Sequence, residues 1–130
     1  MAQKALMIDT SLLIDHFRKT NKANSRLVKL SKEYSPLYIS AVTEFEILSG
    51  ATSEQDAYWS ALLSEFKILP FNSTTVRVAV QIKNGLKRNR KSTDIADLFI
   101  AATALANNLP FDTLNRKHFQ DIPDLTLLEG

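Results

Sequence analysis

Several acidic residues of this chain sit where a carboxylate needs a reason. Asp9 ends the apolar run Ala5-Leu6-Met7-Ile8, and a helical pattern starts just after it. A lone carboxylate buried there would cost several kcal/mol unless something paired with it. Asp97 stands among Ile95, Ala96, Leu98, Phe99 and Ile100. A helix-dipole role suits Asp94, nearer the start of that helix, better than Asp97. Asp97 shares a face with the small residues Ala101 and Ala104 and reads as a site residue. Glu44 and Glu46 are about 200° apart on a helix, so only one can face Asp9. Both border the arc of Ala41, Val42, Phe45 and Leu48, so periodicity does not choose between them. Asp112 and Asn115 flank Thr113-Leu114 at a strand end, where Asn115 suits a turn as well as a ligand role.

Carboxylates converging without cysteine have one common use. They repel one another, and a hard divalent cation relieves the repulsion. Oxygen donors with retained waters suit Mg²⁺ or Mn²⁺. Such an ion acidifies a bound water and stabilises charge on a phosphodiester. The chain has no cysteine, which removes thiolate metal sites and disulfides. His16 and His118 are isolated, and no side chain reads as a covalent nucleophile. Thr10, Ser11 and Thr113 are expected to orient ligands or water. Asp15 reads as a surface residue or a local hydrogen-bonding one.

The elements that must position these residues follow from the apolar pattern. Ala5–Ile8 reads as a strand buried on both faces. Thr10 or Ser11 is expected to cap the helix that carries Leu12, Leu13, Ile14 and Phe17. A second helix is predicted from about Asn24 to Tyr34, broken by Ser35-Pro36. Leu37–Ile39 reads as a strand, and Ser40 as the cap of a helix from Ala41 to Gly50. Helices are predicted over Glu54–Phe66, Thr74–Asn89 and Asp94–Asn107. Trp59 lies off the apolar stripe of the first of these, and the last is apolar almost all round. Strands are predicted at Lys67–Phe71, Pro110–Leu114 and Leu125–Leu128. Alternation of this kind predicts an α/β fold, a mainly parallel five-stranded sheet between helical layers, in one domain over 1–130. In such sheets ligands bind beyond the carboxyl ends of the strands, where Asp9, Ser40 and Asp112–Asn115 fall.

Lys83, Lys87, Arg88, Arg90 and Lys91 crowd the end of the helix before Asp94. They suit a cationic helix C-terminus and also phosphate contact. The net charge of +2 says little about partners. No apolar run approaches the ~20 residues that span a bilayer, and no basic segment followed by a long apolar stretch opens the chain. The expectation is a cytoplasmic protein with no membrane association.

Four segments in order resemble the PIN-domain family, and within it the VapC-type toxins of toxin–antitoxin pairs. They are Ile8-Asp9-Thr10-Ser11, Ile39 to Gly50, Asp97 to Ala104, and Leu109 to Asn115 with Phe119. The family pattern places threonine, then glutamate three residues on, then glycine four further; Thr43, Glu46 and Gly50 match it. The resemblance therefore implies Asp9, Glu46 and Asp97 as catalytic metal ligands. The fourth position, often Asp and sometimes Asn, falls on Asn115, and Thr113 matches a threonine near the site. Asp112 stands where relatives usually carry an apolar residue, leaving open whether it supplies the missing charge or lies on the surface. The resemblance implies a Mg²⁺- or Mn²⁺-dependent endoribonuclease, a homodimer, and a cognate antitoxin that inserts into the site. It makes the first two helices and the Tyr58–Trp59 helix candidate interaction surfaces; separately, the basic cluster makes Lys87, Arg88 and Arg90 candidate RNA or partner contacts. A non-toxin PIN nuclease of RNA processing, or a PIN fold kept for binding, are the alternative readings. A signalling receiver domain is disfavoured, because Asp9 has no paired acid and no lysine follows the last strand.

Overall fold

Strand β1, Lys4–Ile8, alternates its side chains between two cores. Leu6 and Ile8 enter one core, with Leu12, Leu13, Ile39 and Trp59. Met7 enters the other, with Ile82, Leu86, Leu98, Ile100 and Phe111. All three are fully buried, which explains a continuous apolar run rather than an alternating one. The computed structural model describes residues 4–129. Its other strands are β2 (Tyr34–Ser40), β3 (Lys67–Leu69) and β4 (Phe111–Asp112). They lie in the order β3-β2-β1-β4, with every pairing parallel.

Helices α1 (Thr10–Arg18), α2 (Arg26–Ser31) and α4 (Asp56–Leu63) pack on one face of the sheet. Helices α5 (Ser73–Arg88) and α6 (Ile95–Ala106) pack on the other. Helix α3 (Ala41–Gly50) sits at the sheet's edge and gives Ile47 to the first core and Val42 to the second. The architecture is the expected three-layer α/β/α arrangement. Helix α6 is central to its layer, burying Leu98, Ile100, Ala101, Ala102, Thr103 and Ala104.

The structure departs from the sequence reading in several places. Among the described residues the sheet has four strands, not five. Leu125–Leu128 makes one parallel bridge, Phe111 to Leu127, because β4 is only two residues long and offers no further rung. Helix α2 ends at Ser31, short of Tyr34, since Tyr34 already pairs with Lys4 in the sheet. Pro36 lies inside β2 at a bulge, where two steps on β1 (Lys4 to Leu6) oppose three on β2 (Tyr34 to Leu37). The expected Glu54–Phe66 helix divides into a 3₁₀ turn at Ser53–Gln55 and α4. Trp59 is buried rather than displayed: its ring stacks on Phe17 at 5.0 Å, with Tyr58 edge-on. Helix α1 supplies the partner that the stripe of α4 alone does not reveal.

Candidate active site

The carboxyl ends of β1 and β4 meet at Asp9. Its backbone N–H donates to the Asp112 carbonyl at 3.0 Å, which continues the parallel ladder by one rung. Asp9 is also the residue preceding α1, but its side chain makes no cap hydrogen bond. The expectation that Thr10 or Ser11 caps this helix is therefore corrected: both lie inside its first turn and turn their hydroxyls elsewhere. Ser11 Oγ and Thr113 Oγ1 each donate to Asp9 Oδ2 at 2.8 Å. The same hydroxyls accept backbone N–H bonds, Ser11 from Leu114 at 3.0 Å and Thr113 from Asn115 at 2.9 Å. This relay knots α1, β4 and the following turn around one carboxylate. It leaves Asp9 Oδ1 with no hydrogen bond among the described residues. Asp9 as a residue is 4% exposed, and its Oδ1 is not sealed from the solvent of the cavity that Asp9 lines.

Glu46 is fixed in a similar way. The Thr10 hydroxyl donates to Glu46 Oε1 at 2.7 Å and lies 3.0 Å from Thr43 Oγ1. Thr43 is fully buried, and its backbone N–H is capped by Ser40 Oγ at 3.0 Å, as the sequence predicted. Glu44 takes no part in this network and does not line the site. The arc of Phe45 and Leu48, which the sequence suggested as inward, is 70% and 47% exposed. The buried face of α3 is Thr43 and Ile47.

Asp97 lies in the first turn of α6, behind the cap residue Asp94. Its Oδ2 is 3.1 Å from His118 Nδ1. Burial raises the Asp97 pKa above the ordinary aspartate value, and the Asp9 charge raises it further, while His118 draws it back. The charge of Asp9 thus reaches Asp97.

Asp9, Thr10, Ser11, Glu46, Asp97 and Asn115 line one cavity of about 740 Å³. Asp15, Arg18, Asp94 and His118 line it too. Asp15 was expected to face elsewhere, yet Ser11, Asp15 and Arg18 follow at spacings of four and three along one side of α1. Asp15 also pairs with Lys19 at 3.5 Å. His118 stands 21 residues from Asp97 on a 3₁₀ turn, Arg116–His118, and no local pattern marks it. Thr113 is buried behind Asp9. Asp112 is neither exposed nor part of this cavity: it is 2% exposed, and Arg26 holds both its oxygens, Nε to Oδ2 at 3.0 Å and Nη2 to Oδ1 at 3.4 Å. Lys87, Arg88 and Arg90 are exposed at and just beyond the end of α5.

The donor set fits a hard divalent cation. Among the described residues no three His, Cys, Asp or Glu side chains stand close enough together to hold a metal ion between them. Mg²⁺ needs no such cluster, since it binds through one or two carboxylates and keeps several waters. The free Asp9 Oδ1 and the disfavoured charge on Asp97 are what such an ion would satisfy.

Comparison with known proteins agrees with this geometry. The family model described as PIN domain matches residues 6–125. The chain is 31% identical to ribonuclease VapC1 of Methanocaldococcus jannaschii, over 96% of this chain and 86% of that protein. It is 33% identical to ribonuclease VapC10 of Mycobacterium tuberculosis, over 88% and 85%. It superimposes on a chain of a toxin–antitoxin complex from Klebsiella pneumoniae with a TM-score of 0.76 and 26% identity, covering 95% and 96% of the two. The chain therefore belongs to the PIN-domain family, among the VapC ribonucleases.

Proposed function

We propose that this protein is a metal-dependent endoribonuclease, the toxin of a toxin–antitoxin pair, and that Asp9, Glu46 and Asp97 hold its Mg²⁺ or Mn²⁺. The observation that carries the reading is the single cavity lined by all three carboxylates. Each has one oxygen engaged by a protein hydrogen bond: Oδ2 of Asp9, Oε1 of Glu46 and Oδ2 of Asp97. The other oxygen of each makes no hydrogen bond among the described residues and would be the one to meet the metal. The bound cation supplies an acidic water and charge neutralisation at the phosphodiester. The residues of this chain do the positioning. Ser11 and Thr113 lock the Asp9 carboxylate, Thr10 locks Glu46, and the Asn115 amide borders the same space for a phosphate or water. The reading places the protein in the cytoplasm with its RNA. RNA hydrolysis by the purified protein in Mg²⁺ or Mn²⁺, abolished by chelator, is the direct test; undiminished cleavage in EDTA rejects it.

The metal also has a stability signature. A cation at 100 times its Kd stabilises the folded state by about 2.7 kcal/mol, a rise of roughly 10 °C in Tm for a domain of this size. The gain depends on pH in a fixed direction. Asp97 binds its proton at higher pH in the folded chain than in the unfolded one. Without metal, stability therefore increases as pH falls through that raised pKa. With metal, the proton competes with the cation, so the gain shrinks over the same window, which opens above the ordinary aspartate range. Melting with and without Mn²⁺ from pH 7.5 to 4.5 measures it, and a pH-independent gain contradicts the assignment of Asp97.

The partner readings are a cognate antitoxin, supported by the likeness to the Klebsiella pneumoniae complex, and a second copy of this chain. An apolar groove between α5 and α6, lined by Phe71, Val76, Val80, Ile95 and Phe99, supports the second. Val80 and Ile95 are 52% and 57% exposed. A contiguous face of this kind marks an interface, and a stable dimer buries about 800 Å² per partner. The wild type is expected to sediment as a dimer, and Val80→Glu with Ile95→Glu as a folded monomer. A monomeric wild type at micromolar concentration rejects the dimer.

A further inference from the structure

A second, smaller cavity of about 250 Å³ shares a wall with the acidic one: Asp94, Asp97 and His118 line both. Its remaining polar walls differ in chemistry. Ser92 and Thr93 come from the segment joining α5 to α6, and Lys117 from the 3₁₀ turn that carries His118. Thr93 Oγ1 reaches the His118 carbonyl at 3.4 Å, holding the two segments side by side. The acids of this wall are Asp94, Asp121 and Asp97, the last beside His118 at 3.1 Å. Asp94 caps α6 through Ala96 N–H at 3.2 Å, and Asp121 lies 4.0 Å from Lys91. Lys117 is exposed and has no ion-pair partner among the described residues.

We propose that this second cavity is a phosphate subsite, which takes the RNA phosphate next to the one being cleaved, with Lys117 Nζ and the Ser92 hydroxyl as donors. The proposal rests on the ribonuclease reading above. A strand whose scissile phosphate sits beside Asp97 must set its neighbouring phosphate down one nucleotide away. The cavity on the far side of the Asp97–His118 pair offers that place. A lysine is a good point-charge partner for phosphate, and contacts of this type fix the register of a strand without reading its bases. The acidic cavity repels a polyanion by itself, so the unpaired cation next door supplies the attraction that the catalytic carboxylates cannot. The strand then leads away from Asp97 toward the end of α5, where Lys87, Arg88 and Arg90 stand exposed.

The test is an oligoribonucleotide that contains the protein's own mapped cleavage site, with a neutral methylphosphonate replacing one phosphate at a time. For the wild type, neutralising the phosphate beside the scissile one is expected to lower kcat/KM roughly tenfold. The same replacement is expected to cost Lys117→Ala almost nothing, and Lys117→Arg is expected to restore the sensitivity. Lys117→Ala is also expected to flatten the salt dependence of kcat/KM by about 0.7 in log–log slope, the value for one phosphate contact on a single strand. Because Lys117 is exposed, the variant folds. Wild-type sensitivity and wild-type slope in Lys117→Ala overturn the subsite and leave the nuclease reading standing. A wild type that cleaves no RNA in Mg²⁺ or Mn²⁺ overturns both.

Discussion

Asp9→Asn is expected to lower RNA cleavage by at least about 10³-fold while the protein stays folded. The relay around Asp9 explains why both halves of that outcome hold. Ser11 and Thr113 both donate to Oδ2, so an asparagine there must turn its carbonyl oxygen toward them to keep the bonds. That choice keeps the knot of α1, β4 and the turn intact, and the Tm moves little. It also sets the amide –NH₂ where the free Oδ1 stands. An –NH₂ group is a donor with no lone pair to offer, so a cation meets hydrogens instead of a charged ligand. Loss of about 4 kcal/mol of transition-state stabilisation corresponds to the 10³-fold figure. Single-turnover cleavage of a labelled RNA, with melting and Mn²⁺ titration of the same variant, separates the two effects. A folded Asp9→Asn with wild-type rate removes Asp9 from the chemistry and the metal assignment with it.

The first carboxylate was legible because an apolar run stopping at an acid is a local pattern, and β1 and its neighbours keep that pattern in three dimensions. Ser40 as the cap of α3 was legible for the same reason. Other features depend on partners distant in the chain. On α3, hydrophobicity points at Phe45 and Leu48, which are exposed, while the buried face carries Thr43 facing Thr10. Periodicity alone therefore could not choose between Glu44 and Glu46, and the motif resemblance pointed to the residue that the Thr10 hydroxyl reaches. The stripe of α4 leaves Trp59 unplaced, because its cover, Phe17, comes from α1. His118 and Lys117 carry no periodic signal, since they lie on a short 3₁₀ turn whose position is set by packing of Phe119 against Phe111.

Asp112 is the plainest case of a residue whose meaning is set by a distant partner, and it yields the largest stability prediction. Its carboxylate is 2% exposed and its partner Arg26, 86 residues away, is 30% exposed. Removing one member of a buried pair is costly because the other keeps its charge without water. The two members are not equivalent here. Without Asp112, the guanidinium can swing from its half-open position into solvent. Without Arg26, the Asp112 carboxylate has nowhere to go, since β4 holds it in register with Ile8. Arg26→Met is therefore expected to cost about 3 kcal/mol, at the low end for buried pairs because Arg26 is partly solvated, or roughly 10 °C in Tm. Asp112→Asn is expected to cost less, and in the Arg26→Met background it should restore most of the lost stability, because it removes the stranded charge. Denaturant melts of the two single variants and the double variant give the cycle. If Asp112→Asn fails to rescue Arg26→Met, the cost lies in lost packing of the Arg26 stem and not in charge. The pair also bears on catalysis, for the Asp112 carbonyl accepts the Asp9 N–H and Thr113 follows it to the Asp9 carboxylate. Loosening Asp112 thus loosens the ligand, and Arg26→Met should lose activity at temperatures where it is still folded.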